Sequence, residues 1–175
     1  MSPHRIRSLA AASAIVAAVL SGLSCGRPSD ESAIRALLAE SVARAEKRDL
    51  DGLMALFAPD YVDSAGRDPA ETRDLIDGYL GQYRGVVIHL LGARVAAPGP
   101  DGRAAVECEV ALSHGAAQVL RKLIRYTGEY YHFRIEVRRT GRGEWRFTGA
   151  EWRSTGLAEL FPESLDILKK LFPGL

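Results

Sequence analysis

Arg48-Asp49-Leu50-Asp51-Gly52-Leu53-Met54-Ala55-Leu56-Phe57-Ala58-Pro59-Asp60-Tyr61 is the stretch from which the fold can be read. Asp49 is a helix-capping residue by type, because its carboxylate can accept from the unpaired backbone N–H groups of a first turn. Leu53, Leu56 and Phe57 then recur at helical spacing. Pro59 stops the run, since proline lacks an N–H and clashes with the turn before it. The stretch predicts a short helix that breaks into a loop at Asp60-Tyr61.

Working outward, Ser29 or Asp30 can cap an earlier helix whose apolar positions are Ile34, Leu37, Leu38, Val42 and Ala45. On the other side, Asp68-Pro69-Ala70-Glu71 offers an N-cap Asp, a first-turn Pro and a Glu three residues after the cap. Leu75, Ile76, Tyr79, Leu80 and Tyr83 continue that third helix. After Gly85 the apolar period changes from helical to alternating. Val86 to Ala97, Arg103 to Ser113, Arg125 to Arg139 and Glu144 to Ser154 read as four strands, separated by Pro98-Gly99-Pro100-Asp101-Gly102 and by Gly141-Arg142-Gly143. The pattern predicts an α+β chain, three N-terminal helices packed on one face of a four-strand antiparallel meander. Phe161, Leu165, Leu168, Leu171 and Phe172 suit a short C-terminal amphipathic helix, which packs on its own domain, pairs with another copy or touches a membrane.

The first 24 residues have the anatomy of an export leader: Arg5 and Arg7, an apolar run from Leu9 to Leu20, then Ser21-Gly22-Leu23-Ser24. Cys25 follows at once, and the junction resembles a bacterial lipobox. That resemblance implies cleavage before Cys25, acylation of its thiol and a bilayer as partner. The other readings are plain export, or an uncleaved anchor with a run shorter than the ~20 residues a spanning helix needs. Gly26 in place of Asp favours the outer membrane on the periplasmic side of a bacterial envelope. The expected domains are a lipoprotein signal peptide at 1–24, a lipidated tether at 25–32, the folded domain at 33–156 and an amphipathic extension at 157–175.

Two of the 23 basic residues lie in the leader and none of the 22 acidic ones, so the mature chain carries about −1 and no basic excess to hold nucleic acid. With Cys25 acylated, Cys108 has no disulfide partner. Its place in the alternation Val106, Cys108, Val110 makes it a small buried hydrophobe. His89 and His114 have no companions at metal-ligand spacing, so no metal or other cofactor is expected.

Three helices followed by a curved meander resemble the nuclear transport factor 2-like superfamily, the SnoaL and ketosteroid isomerase-like cone fold. The stretch Arg48 to Tyr61 carries the resemblance, with a second echo at His132-Phe133-Arg134. It implies a cone-shaped α+β barrel with a pocket between helices and sheet. It also implies a choice among isomerases, dehydratases, hydrolases and non-catalytic binding domains. Matched to the isomerase pattern, the strand proton donor falls on Tyr131, the helix donor on Ser41, and the base on Ala65 or, with a gap, Asp63. Asp63 and Tyr131 are the catalytic candidates this leaves.

Tyr61, Asp63, Tyr79, Tyr131, Phe133 and Trp152 are the expected pocket residues. Asp60, Tyr61 and Asp63 also suit turn and capping chemistry. Tyr130 and Tyr131 face opposite sides of their strand. Trp145 and Trp152 do too if theirs is regular, whereas a bulge at Gly149 brings both to one side. Three functions remain in view. One is a membrane-anchored, non-catalytic domain binding a small apolar ligand or a protein partner. Another is an enzyme using Asp63 and Tyr131. The third is a structural homodimer formed through the sheet face bearing Glu107, Glu109, His132 and Arg134.

Overall fold

The computed structural model describes residues 29–83, 85–114, 129–141 and 143–156. The leader, Cys25, the start of the third predicted strand at 125–128 and the C-terminal extension at 157–175 lie outside the described residues. Three helices come first: α1 (Asp30–Glu46), α2 (Leu50–Met54) and α3 (Pro69–Gly81). Four strands follow: β1 (Val86–Val95), β2 (Arg103–His114), β3 (Glu129–Arg139) and β4 (Trp145–Thr155). The strands form one antiparallel sheet in the order β1-β2-β3-β4. The α+β meander expected from the alternation is therefore the observed architecture. No helix among the described residues is long and apolar enough to cross a membrane.

Local chemistry sets each helix start. The Ser29 hydroxyl accepts from the Ser32 N–H at the head of α1. Asp49 accepts from the Gly52 N–H at the head of α2. Asp68 and Glu71 exchange hydrogen bonds in a complete capping box, with Pro69 in the first turn of α3. The second helix is shorter than the spacing of Leu56 and Phe57 suggests. It gives way to a chain that runs beside β4. Ala58 N–H donates to Phe147 O at 2.8 Å, Val62 N–H to Thr148 O at 3.2 Å and Ser64 N–H to Ala150 O at 3.0 Å. Backbone groups that would otherwise form an open sheet edge are thus covered by the loop.

Ile34, Leu37 and Leu38 of α1 pack with Val106, Val137, Trp145 and Phe147 of the sheet in one core. Each such aliphatic side chain, fully buried, contributes about 2 kcal/mol. Two irregularities shape the sheet. The β1–β2 register shifts between Leu90 and Gly92, and the β3–β4 register shifts opposite Glu136 and Val137, where Thr148 is the extra residue. The second bulge moves the inward set from Trp145 and Phe147 to Ala150 and Trp152, so both tryptophans serve the inner side. Gly149 lets the loop run close to β4 there, since a Cβ would lie a tight 3.3 Å from the Val62 carbonyl oxygen.

Arg48 is the one described non-glycine residue with positive φ, at 56°. It leaves α1 in the left-handed conformation that ends many helices. Its guanidinium donates to the Leu80 and Tyr83 carbonyls at the end of α3. Arg48→Ala and Arg48→Gly both lose those bonds, but glycine has no left-handed penalty. The glycine variant is expected to be more stable than the alanine variant by about 1 kcal/mol, measured by urea denaturation. Equal midpoints would show that the backbone at Arg48 carries no strain.

Candidate functional site

The helices do not lie flat on the sheet. Between them is a cavity of about 640 Å³, within the range of small-molecule sites. Leu38, Val42 and Ala45 of α1, Leu75, Ile76 and Leu80 of α3, and Val110, Leu112, Phe133 and Ile135 of the sheet form most of its wall. Leu75 and Leu90 line it and are also exposed, at 41% and 38%, which places them at its mouth. Cys108 lies in the wall, 2% exposed, and burial pushes its thiol up to about 12. It is an apolar wall residue, inert at neutral pH.

Tyr61, Tyr79, Tyr131, Phe133 and Trp152 all line this cavity. Asp63 does not reach it. The Asp63 side chain has no exposed surface and is spent on its own loop. Its Oδ1 accepts from the Ala65 and Arg67 backbone N–H groups at 2.8 and 2.9 Å, and its Oδ2 from Arg67 Nε at 2.7 Å. Burial raises the Asp63 carboxyl, but the Arg67 backbone N–H, the Arg67 guanidinium and the Ala65 N–H together bring it below the ordinary carboxylate value. A carboxylate held this way is a poor proton acceptor. It acts as the anchor of Arg67, whose guanidinium lines the cavity 5.1 Å from the Trp152 ring centroid. Tyr61, beside this pair, is pushed up to about 12 by burial and by the Asp63 charge.

A second polar group sits near Tyr131. Tyr79 and Tyr131 both donate to Glu129 Oε2, at 2.9 and 2.8 Å. These bonds hold the Glu129 carboxyl below its usual range, while burial and the same carboxylate raise both tyrosines. Glu129 is exposed and is not part of the cavity wall. Tyr83 stacks on His114 at 3.6 Å between centroids, with Tyr79 edge-on to the same ring. Ser41 lines the cavity but turns its hydroxyl back on the Leu38 carbonyl of its own helix, at 2.8 Å. Of the three isomerase positions, only Tyr131 places a phenol at the cavity wall, and its hydroxyl already donates to Glu129 Oε2, outside that wall.

Sequence reasoning missed Arg67 and Glu129. Asp63-Ser64-Ala65-Gly66-Arg67 held a usable signal for the first, an Asp two residues before the N–H it accepts and a glycine at φ 81° closing the turn. Nothing local marks Glu129, which meets Tyr79 across 50 residues of chain. On the outer face of the sheet, His132 pairs with Glu109 and Arg134 with Glu107, each at 3.7 Å. Asp60 forms a two-bond pair with Arg138 at 2.7 and 2.9 Å. Among the described residues no group of His, Cys, Asp and Glu could hold a metal ion.

A cone of this kind, with its helices over a four-strand meander, has known relatives. The SnoaL-like domain model matches residues 27–151. The chain belongs to the SnoaL-like family. Solved structures similar to this SnoaL-like chain include an NTF2-like protein with a cystatin-like fold from Novosphingobium aromaticivorans. It is 23% identical over 86% of this chain and 94% of its own, with a TM-score of 0.59. A candidate scytalone dehydratase from the same organism is 20% identical over 73% and 85%, with a TM-score of 0.58. Aln2 from Streptomyces is 14% identical over 79% and 98%, with a TM-score of 0.61. At these identities the likeness is one of fold. No curated protein matches the chain.

Proposed function

We propose that this SnoaL-like domain is a lipid-anchored binding domain of a bacterial envelope, and that it holds a small apolar molecule in its cone. The observation that carries the binding reading is the cavity itself, walled among the described residues mostly by apolar side chains. Apolar walls with few polar groups suit capture of an apolar body, since each buried methylene is worth about 0.8 kcal/mol. Catalysis by Asp63 and Tyr131, of the dehydratase kind that one relative's name suggests, is less well supported. Asp63 would first have to leave three hydrogen bonds, one of them its ion pair with Arg67. A structural dimer through the sheet is also less well supported, because Glu107 already has Arg134 beside it and Glu109 has His132.

The anchor rests on the leader and on Cys25. Two acyl chains on one thioether-linked residue give stable attachment. The test is fractionation and mass analysis of the protein from bacterial membranes. Wild type is expected in the membrane fraction, cut before Cys25 and acylated, with a small apolar molecule retained under native conditions. Cys25→Ser is expected to lose nearly all membrane association. An unprocessed, unacylated wild-type chain in the soluble fraction would overturn the anchor. A protein that purifies empty and takes up no apolar probe would overturn the binding reading.

A further inference from the structure

Arg67 is the only charged side chain among the described residues that line the cavity. Asp63 occupies its Nε edge, and Trp152 lies against the guanidinium. Its two terminal nitrogens make no hydrogen bond to a described residue. They form a planar fork, held in place, at an otherwise apolar wall. Thr72, at the same cavity and only 4% exposed, adds a second unused group. Thr72 interacts with the Tyr61 side chain, and its Oγ1 makes no hydrogen bond of ordinary distance and angle to a described residue. Buried hydroxyls are rarely left so, and a ligand atom is one way to complete them. The Asp63 and Arg67 charges and the Thr72 hydroxyl all act on Tyr61, and Tyr61, Arg67 and Thr72 line the same cavity.

We infer that the molecule held in the cone is an apolar carboxylic acid, bound as its carboxylate. Its oxygens meet the terminal nitrogens of Arg67, and one of them also accepts from the Thr72 hydroxyl. Its hydrocarbon body runs along Leu38, Val110 and Ile135. A guanidinium end presents two parallel N–H groups that match the two oxygens of a carboxylate. Asp63 already offsets part of the Arg67 charge, so the head selects the ligand while apolar burial supplies most of the affinity. An amine would meet no carboxylate among the described residues of the cavity wall, since Asp63 and Glu129 both lie outside it. This inference rests on the proposed binding function and narrows it.

Titration calorimetry of the full chain with decanoate, decan-1-ol and decylamine tests it. Decanoate is expected to bind at least tenfold more tightly than the alcohol or the amine. Arg67→Gln should erase that preference, weakening decanoate by at least tenfold more than it weakens the alcohol. Thr72→Val, which keeps the side-chain shape, should weaken decanoate alone by about threefold to tenfold, and it serves if Arg67→Gln does not fold. Equal affinity for acid and alcohol, a preference for the amine, or an unchanged preference in these variants would overturn the carboxylate head. Alcohol binding in those cases would leave the apolar-cavity function standing. Absence of binding by all three compounds would remove both.

Discussion

Asp63→Ala is expected to lower stability at neutral pH by about 3 kcal/mol, a fall in Tm of roughly 6–12 °C for a domain of this size. Three bonds go at once. The Ala65 and Arg67 backbone N–H groups lose their acceptor, and the Arg67 guanidinium, 32% exposed, loses its counter-charge. Leaving such groups unsatisfied is more costly than the net worth of the bonds, because the donors stay desolvated. Asp63 sits beneath exposed Ala65 and Gly66, so water reaches the orphaned groups in part and the loss stays at the low end for a broken buried pair. Asp63→Asn keeps an acceptor for the backbone and is expected to lose about half as much. The pH dependence has a fixed sign. The folded carboxyl lies below its unfolded value of about 3.9, so its stabilisation is complete above that value. It is lost as pH falls through the folded value. Circular-dichroism melts between pH 7 and pH 3 should show a steeper loss for wild type than for Asp63→Asn. Parallel curves would mean that Asp63 is not the carboxylate that matters.

Ser41→Phe is expected to abolish binding of apolar ligands, by more than tenfold, while leaving the fold intact. Ser41 lines the cavity from α1, and its hydroxyl serves only the Leu38 carbonyl of its own helix. A ring at that position enters open space and not a packed core, so the 1–3 kcal/mol usual for overpacking should be mostly avoided. The added apolar contact can offset the lost local hydrogen bond, which is worth about 1 kcal/mol. The variant therefore separates cavity volume from stability. A folded Ser41→Phe that binds as wild type does would place the ligand elsewhere.

Much of the fold is legible in the sequence because its signals are local. Asp68, Pro69 and Glu71 announce α3 within four residues, and the change of period after Gly85 announces the sheet. Tyr131 and Phe133 could be placed on one side of their strand by alternation alone, whereas the side of Trp152 depends on the bulge beside Gly149. The site is less legible where it depends on which partner a polar group finds. Asp63 reads first as a turn residue and, only through the family resemblance with a gap, as a base. The choice is made by Arg67 folding back across Gly66. Glu129 becomes a centre for Tyr79 and Tyr131 only once the Tyr79 side chain of α3 reaches the start of β3. Such contacts arise from packing, which no local pattern encodes.

The hollow of the cone, and its use by an apolar guest, are tested most directly by titrating the protein with N-phenyl-1-naphthylamine and following its fluorescence. A saturable, single-site rise that decan-1-ol competes away, and that is absent in folded Ser41→Phe, is the result expected. No saturable rise in wild type, or an unchanged one in Ser41→Phe, would contradict it.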